Sequence, residues 1–583
     1  MSQPVTDSLS RDEALFHFAN KCQQKLFIWR QFEDCFKCPL VFWTAIDAQS
    51  EVVVKNSTND ALWWAITETK NSSDYLLSKE EKIFCKNQIS PKDQSIHKIS
   101  ISGANHNFSC ETQTLDDGRN NAWPLVVAAA VYVLLAVLFY GGRRLYWRYR
   151  ARHVTQIASE EPDDKNEDKR RKRLKSLDCF RGITILMMIF VNVGAGGYEF
   201  LDHAPWDGFH FADIIFPWFI FIMGTTMAIS LKSQVVRHKT PPKLIFFQIA
   251  KRSLTLFAIG LVLNSNGEAN WRTLRIPGVL QRFGVSYLVV ASSHALSLLL
   301  HKGELFGALR IHQLVDVIPY WFEWIVVALM TLLYTSLTFG WKFADNCLKG
   351  YVGQYSTNQN NTQSINPIAG PGGIADDMSA VACTGGAAAH IDRWLFTDKH
   401  LYQGFTARHL YDPKDEFHLI HDPEGVLGTT NSIILTFLGL QVGKILISFP
   451  NPRQRIVRWI AWGVGCGALA AALGASGLIP VNKNLWSLSF VLIPASAAFF
   501  AISLLYYLID VRNVWPNGQP FHYPGMNSLI LYIGHQVCGS MLPFTFNVDE
   551  GDHVGPLARD LWTTTMWFIV SVRLAQNDFF FTV

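Results

Sequence analysis

The chain has 583 residues, of which 49% are hydrophobic, 13% aromatic and 17% charged, with a net charge of +4 at pH 7. This apolar composition and the 19 tryptophans are typical of a protein that crosses two membrane–water interfaces, and they exclude a small soluble domain. We therefore expect a polytopic α-helical membrane protein that contacts membrane lipid and binds no nucleic acid.

The first 122 residues form the first predicted domain. Short β-rich runs at 40–44, 51–54 and 99–101 alternate with turns, which predicts a small β-rich domain braced by disulfides. No signal peptide follows Met1, so either the first membrane span exports this region or the sequence starts downstream of a missing signal.

About eleven stretches approach the ~20 residues that a helix needs to cross a bilayer. They lie at 123–141, 176–196, 211–231, 245–264, 279–300, 320–339, 430–448, 456–476, 486–509, 527–543 and 558–574. A charged linker is expected at 142–175, followed by a ten-helix membrane domain at 176–583 that contains a long polar loop at 340–429.

Lys and Arg cluster on one side of these spans, at 143–150, 169–173, 237–239 and 453–455. Positive charge stays in the cytosol, so this side is predicted to be cytosolic. Binding of anionic lipid and a nuclear signal are the alternative interpretations of the same charges. The opposite side receives residues 1–122, the turn after residue 192 and the loop 340–429.

Cysteines and glycosylation motifs agree with this orientation. The exoplasmic side carries Cys22, Cys35, Cys38, Cys85, Cys110, Cys347 and Cys383, and it carries sequons that begin at Asn56, Asn71, Asn107 and Asn360. Because seven is odd, one cysteine stays free or pairs between chains. Cys35 and Cys38 could form a redox motif, but without a βαβ pattern around them a structural disulfide is favoured.

His203 is the most informative residue. It lies between the second and third spans, after a glycine-rich turn at 194–197, and an ionisable imidazole at a membrane surface indicates chemistry. Asn192 precedes the turn and Asp213 opens the next helix, so the three side chains are expected to converge. The alternative makes Asn192 an interhelical hydrogen-bond partner and Asp213 an N-terminal helix acid.

Further polar residues stand at helix starts and are candidates for holding an anionic co-substrate. Asp178 and Arg181 share one helical face, although Asp178 could equally belong to a helix start capped by Ser176. Arg275 and Arg282 place two guanidinium groups around another helix start, which suits the binding of a phosphate. Interfacial snorkelling explains any one of these residues but explains their sum less well. The remaining candidates are Lys483, Ser487, Ser489, Asn527 and His535.

From about residue 174 to the tenth span the chain resembles the lysosomal heparan-α-glucosaminide N-acetyltransferases and their bacterial multi-span relatives. The resemblance depends on motifs in one order along the chain. They are 176–182 (SLDCFRG), 192–206 (NVGAGGYEFLDHAPW), 216–224 (FPWFIFIMG), 275–282 (RIPGVLQR), 422–429 (DPEGVLGT), 481–487 (VNKNLWS) and 523–528 (YPGMNS).

The resemblance implies transfer of acetyl from cytosolic acetyl-CoA to the amine of terminal glucosamine of heparan sulfate in the lysosomal lumen. On this reading His203 matches the catalytic histidine and Asn192 its partner, and the protein is a homodimer in the lysosomal membrane without a metal. The carboxyl end, from 571 to 583, lacks the basic finish expected of the family.

Two mechanisms and three other functions stay open. His203 accepts the acetyl group itself, or it serves as base in a complex of both substrates, which we favour slightly because no hydrolysable acyl-imidazole is exposed. The other functions are an acyltransferase for another luminal amino sugar, a secondary transporter, and a catalytically inactive receptor. Missing inverted repeats count against the transporter.

Overall fold

The structure is a computed structural model of the 583-residue chain. It describes residues 9, 11–32, 40–58, 61–68, 83–104, 107–119, 122–154, 174–265, 270–300, 312–343, 347, 354–359, 362–367, 383–404, 406, 418, 420–539, 541–542 and 544–581.

The N-terminal domain consists of two four-stranded sheets. The strands are β1 (Glu13–Asn20), β2 (Leu26–Phe32), β3 (Val41–Ile46), β4 (Glu51–Ser57), β5 (Leu62–Thr67), β6 (Cys85–Ile89), β7 (Ile96–Ala104) and β8 (Asn107–Asp116). Their order is β4-β1-β7-β8 in one sheet, with β1 parallel to β7, and β3-β2-β5-β6 in the other. The predicted β-rich domain is confirmed, including the strands at 40–44, 51–54 and 99–101.

Alternating apolar residues place one face of each sheet in a shared core, which includes Phe16, Ile28 and Trp64. The Cys85–Cys110 disulfide joins β6 of one sheet to β8 of the other, and a second disulfide joins Cys347 to Cys383. Cys22 is a free, buried thiol. Cys35 and Cys38 lie outside the described residues.

Thirteen helices are described after this domain. They are α1 (Trp123–Val154), α2 (Lys175–Asn192), α3 (Ile215–Lys232), α4 (Pro242–Asn264), α5 (Val279–Leu300), α6 (Trp321–Thr335), α7 (Gly386–Phe396), α8 (Val426–Ser448), α9 (Pro452–Ala475), α10 (Leu488–Leu505), α11 (His522–Met526), α12 (Ser528–Cys538) and α13 (Val554–Gln576).

Eight helical segments within the described residues are long and apolar enough to cross a membrane: 123–146, 211–237, 242–264, 279–300, 318–340, 426–448, 452–475 and 488–511. The other three predicted spans coincide with α2, α12 and α13, which are helical but shorter or more polar. The polytopic helical fold is confirmed, whereas the count of eleven spans stays a prediction.

Three local features differ from the predictions: the end of α1, the N-cap of α2 and the content of the loop 340–429. The first long helix continues to Val154 through the basic residues at 143–150, since Arg and Lys are good helix formers. Leu174, not Ser176, is the N-cap of α2, and Ser176 lies inside its first turn. The loop 340–429 contains a β-hairpin (Gln354–Gln359 and Thr362–Pro367) and the helix α7.

Small residues let the central helices pack closely. A Cβ atom at Gly224 of α3 would lie 2.1 Å from the carbonyl oxygen of Thr436, and one at Gly439 of α8 would lie 2.0 Å from that of Phe221. The backbones of α3 and α8 therefore touch, as small residues permit in membrane helices.

A buried ion-pair network joins α5, α6 and α8. Glu323 accepts from His294 Nδ1 at 2.7 Å and from Lys444 Nζ at 3.0 Å, and all three side chains are almost completely buried. Charges inside a membrane protein are costly unless paired, so this network fixes the three helices relative to one another.

The helix bundle has two ends with different composition. The histidine end carries 193–213, 270–282, 398–404, 420–425 and 477–489. Hydrogen bonds join these segments, such as those from Asn484 Nδ2 to the Pro205 oxygen and from His400 Nδ1 to the Leu274 oxygen. The arginine end carries the start of α2, the start of α4 and residues 515–527, where Lys175 contacts Asn517.

Of the predicted sequons, only Asn56 has a described side chain. It is 4% exposed, and it accepts a hydrogen bond from Arg30 Nη1 at 2.6 Å. A glycan therefore does not fit on Asn56 in the folded domain. The side chains of Asn71, Asn107 and Asn360 lie outside the described part of the chain.

Candidate functional site

His203 and Asp213 form a hydrogen-bonded pair at the histidine end. The glycine-rich turn ends α2, with positive φ angles of 127°, 71° and 74° at Gly194, Gly196 and Gly197, and returns the chain towards α3. His203 Nδ1 then lies 2.7 Å from Asp213 Oδ1. Because a carboxylate only accepts, the proton lies on Nδ1 and leaves the Nε2 lone pair free.

Asp213 is held rigidly. Its Oδ2 accepts from the backbone amides of His210 at 2.9 Å and Ala204 at 3.2 Å, and the side chain is completely buried. The His203 side chain keeps 32% of its surface exposed. A fixed acceptor therefore orients an imidazole whose other nitrogen remains accessible, which is the arrangement of a general base.

Lys483 contributes the nearby positive charge. It is half-buried on the loop that enters α10 and interacts electrostatically with Asp213 and Glu424. Burial lowers the pKa of Lys483, and these two carboxylates oppose that shift. Lys483 thus offers a cation beside the pair.

Asn192 is the last residue of α2, and its described partner is His535. Its Nδ2 lies 2.9 Å from His535 Nε2, and His535 Nδ1 lies 2.9 Å from the Leu531 oxygen. Since Nδ1 donates to that carbonyl, Nε2 accepts from Asn192. Among the described residues no hydrogen bond joins Asn192 to His203. The structure therefore brings together two of the three predicted residues and adds His535 to Asn192.

Arg275 forms ion pairs with two carboxylates at the histidine end. Its Nε donates to Asp422 Oδ2 at 2.9 Å and its Nη2 donates to Asp422 Oδ1 at 2.6 Å, while Nη2 also contacts Glu424. The guanidinium lies 4.6 Å from the ring centre of Tyr402. Two carboxylates thus neutralise the charge that the sequence suggested for a phosphate.

Arg282 is buried one helical turn into α5. Its Nη2 donates to the carbonyl oxygens of Pro423 and Gly425 at 2.9 and 3.0 Å, and the guanidinium stacks 4.4 Å from Trp486. Nε and Nη1 have no hydrogen-bond partner within the described chain. Arg282 therefore retains two donors that a ligand could satisfy.

The serines and Asn527 have structural partners. Ser487 caps α10 by accepting from Phe490 N at 3.3 Å, and Ser489 donates to the Pro480 oxygen at 2.8 Å. Asn527 holds the last described residues through the Phe579 oxygen and the Phe581 amide. These three side chains shape loops, and their contacts do not form a single binding site.

A cavity of about 340 Å³ lies among α2, α3, α4, α5 and α12. Most lining side chains are apolar, and the two charged ones are Arg181 and Arg252. Arg181 donates to the Gly525 oxygen at 3.2 Å and lies 3.6 Å from Asp178, whereas Arg252 is exposed and stacks 4.8 Å from Tyr287. Arg181 lies in the second turn of α2, and Arg252 lies near the middle of α4.

The same cavity extends towards the histidine end, because its lining includes Val279 and Leu280, the first residues of α5. Its lining does not include His203, Asn192 or Asp213. The cavity is therefore lined by both Arg181 and Arg252, and it approaches the start of α5, where Arg282 lies.

Two residues of interest escaped sequence reasoning. Arg252 lies inside the predicted span 245–264 and was not among the candidate residues. Asp392 of α7 is completely buried beside the histidine end, where its Oδ1 accepts from the Val426 amide at 2.9 Å. Burial raises the pKa of Asp392 to about 7, although this hydrogen bond opposes the shift. Its position in a polar loop gave no indication of burial.

Comparison with known proteins supports the resemblance. Residues 173–338 match the family model described as heparan-alpha-glucosaminide N-acetyltransferase, catalytic. The heparan-alpha-glucosaminide N-acetyltransferase of Homo sapiens is 39% identical over 424 residues, and that of Mus musculus is 37% identical over 421 residues.

Each alignment covers 70% of this chain and 60% of the relative. The chain thus matches somewhat less than two thirds of the length of these curated relatives. The resemblance that the motifs indicated is confirmed: over 70% of its length the chain is similar to heparan-alpha-glucosaminide N-acetyltransferases.

Proposed function

We propose that this protein transfers the acetyl group of acetyl-CoA to the amine of terminal glucosamine of heparan sulfate. The observation that carries the proposal is the His203–Asp213 pair, which leaves an accessible Nε2 at the histidine end of a bundle whose cavity is lined by two arginines. The names of the relatives supply the acceptor and the reaction.

The charged and apolar side chains that line the cavity suit acetyl-CoA. Arg181 and Arg252 would hold the phosphate groups, since guanidinium groups bind phosphate strongly. The apolar lining, which includes Met188, Phe283 and Leu529, would contain the pantetheine arm. The thioester would then point towards the start of α5, where the free donors of Arg282 lie.

His203 serves as the base. A glucosamine amine must lose a proton before or during its attack on the thioester carbon. The nitrogen–carbon bond forms, the carbon–sulfur bond breaks, and Nε2 of His203 takes the proton that the leaving thiolate finally receives. Asp213 keeps the ring in the required tautomer and stabilises the imidazolium.

Direct transfer within a complex of both substrates remains the favoured route. Asn192, with His535 as its partner, and the half-buried Lys483 are the donors available to stabilise the oxyanion. In the alternative route Nε2 itself carries the acetyl group. Single-turnover experiments with labelled acetyl-CoA separate the routes, because only the second gives labelled protein without acceptor.

The proposal includes an orientation and a location. The arginine end faces the cytosol, where acetyl-CoA is made, and the histidine end and the N-terminal domain face the lysosomal lumen. The basic clusters at 143–150 and 237–239 support this orientation. A homodimer, which the family resemblance implies, also belongs to the proposal and is tested by the mass of the purified protein in detergent.

The direct test uses purified full-length protein in detergent with labelled acetyl-CoA and a glucosamine-terminated heparan oligosaccharide. Wild-type protein should form labelled N-acetylglucosamine, and His203→Ala should lose about 100-fold or more of that rate. A folded wild-type protein that binds acetyl-CoA but acetylates neither this acceptor nor free glucosamine would contradict the proposal.

A further inference from the structure

Three potential metal ligands meet where the N-terminal domain touches the membrane domain. Asp12 precedes β1 and Asp93 precedes β7, whereas His553 immediately precedes α13. One ligand atom from each of these side chains lies within 4.8 Å of the other two. The residues are far apart in sequence, so no motif indicated this cluster.

Two of the three distances within the cluster are compatible with a small ion between the ligand atoms, and the shorter one also permits a hydrogen bond between His553 and Asp12. His553 Nε2 lies 3.1 Å from Asp12 Oδ1 and 3.5 Å from Asp93 Oδ2. Tetrahedral ligands about 2.0 Å from zinc lie roughly 3.3 Å from one another. The other two histidine–carboxylate pairs of the described chain, His203–Asp213 and His294–Glu323, are closer, at 2.7 Å.

The imidazole is held in the orientation that a metal ligand needs. His553 Nδ1 lies 2.9 Å from the Gly196 oxygen, and donation to this carbonyl directs Nε2 towards the two carboxylates. The ring is 2% exposed and stacks on Tyr198 with a centroid distance of 4.1 Å. Thr58 Oγ1 donates to Asp93 Oδ1 at 2.6 Å, which orients that carboxylate as well.

We propose that Asp12, Asp93 and His553 form a binding site for a divalent transition-metal ion, with zinc as the metal that fits best. One imidazole and two carboxylates suit zinc, whereas calcium and magnesium prefer all-oxygen ligand sets. If His553 is protonated on Nε2, the cluster of two carboxylates and one imidazolium has a net charge of one negative unit. If His553 is neutral and a divalent ion is bound, the ion balances the charge of both carboxylates. The Asp12 and Asp93 side chains keep 23% and 16% of their surface exposed, so an ion can enter.

The site has a structural role. Its ligands come from both domains, and His553 also holds the oxygen of Gly196 in the turn between Asn192 and His203. Asp560 Oδ2 accepts from the amide of the same glycine at 2.8 Å. A bound ion would therefore fix the N-terminal domain against the turn that precedes the candidate base.

The test measures zinc binding by tag-free, full-length protein in detergent. The protein is stripped with a chelator, dialysed against zinc at pH 7.5, and analysed for metal content and thermal unfolding. Asp12→Asn and Asp93→Asn keep the side-chain volume, and Asp47→Asn is the matched control, an exposed carboxylate of the same domain. Calcium is tested in parallel.

Wild type and Asp47→Asn should each bind one zinc per chain and unfold at a higher temperature with zinc than without. Asp12→Asn and Asp93→Asn should bind zinc about tenfold or more weakly and lose that shift. The proposal is overturned if wild type retains no zinc, if calcium binds more tightly than zinc, or if both variants bind zinc as wild type does. Metal content and unfolding temperature do not depend on acetyl transfer.

Discussion

Asp213 controls which nitrogen of His203 carries a proton, and this role predicts a specific defect. Asp213→Asn keeps the size of the side chain but can present an N–H to Nδ1, which favours the wrong tautomer. We expect kcat to fall by about 10²–10⁴-fold with little change in the KM for either substrate. Steady-state kinetics of acetyl transfer measure both constants.

Asp202→Asn is the matched control for that variant. Asp202 is exposed and accepts only the backbone amide of His203, at 2.7 Å, among the described hydrogen bonds. Its kcat should stay within a few-fold of wild type. Equal losses in Asp202→Asn and Asp213→Asn would show that the ring is not oriented through Asp213.

The sequence suggested that Arg275 binds a phosphate, whereas in the structure it pairs with two carboxylates. Its removal leaves the buried carboxylates of Asp422 and Glu424 without their cation. We predict that Arg275→Ala destabilises the protein by about 3–5 kcal/mol, because breaking a buried ion pair leaves an uncompensated charge. Thermal unfolding in detergent tests this. A variant of normal stability whose KM for acetyl-CoA rises tenfold would instead support the phosphate role that the sequence suggested.

At the scale of elements, α7 supplies a pH-dependent contact to the start of α8. Asp392 has a pKa of about 7 in the folded chain against 3.8 as its ordinary value. Between these values the folded state holds a proton that the unfolded state lacks, so stability falls as pH rises towards and through 7. The protonated carboxyl is therefore favoured in an acidic compartment.

Asp392→Asn imitates the protonated carboxyl and keeps an acceptor for the Val426 amide. We expect the unfolding temperature of this variant to fall less than that of wild type between pH 5 and pH 8. Asp398→Asn, an exposed carboxylate just after α7, should follow the wild-type curve. Thermal unfolding at several pH values measures the difference, and parallel curves for all three proteins would refute it.

Sequence reasoning succeeded for elements that local pattern determines. Hydropathy located the long apolar helices, and the ten-residue separation of His203 and Asp213 kept their pairing within reach of local reasoning. It failed where distant segments meet. Asn192 and His535 are 343 residues apart, and Asp422 and Glu424, which neutralise Arg275, are more than 140 residues from it in the sequence.

At the scale of the whole molecule, the cavity extends from Arg181 and Arg252 towards the start of α5, and this position leads to a prediction about acetyl-CoA. Arg252→Ala should raise the KM for acetyl-CoA by roughly 10- to 150-fold, since a lost charged contact costs about 1.5–3 kcal/mol. Neither kcat nor the KM for glucosamine should change much. Lys251→Ala is the control, because Lys251 is an exposed neighbour that does not line the cavity. An equal rise in the KM for acetyl-CoA in both variants would show that overall positive charge, and not a contact of Arg252, attracts acetyl-CoA.

The central claim is that acetyl-CoA and the acceptor reach one site from opposite sides of the membrane. The most direct measurement reconstitutes the protein into sealed vesicles, with labelled acetyl-CoA outside and a glucosamine acceptor trapped inside. We predict that labelled N-acetylglucosamine accumulates inside with wild type and not with His203→Ala, and that little forms when both substrates are outside. Product formed only when both substrates share one side would contradict the account.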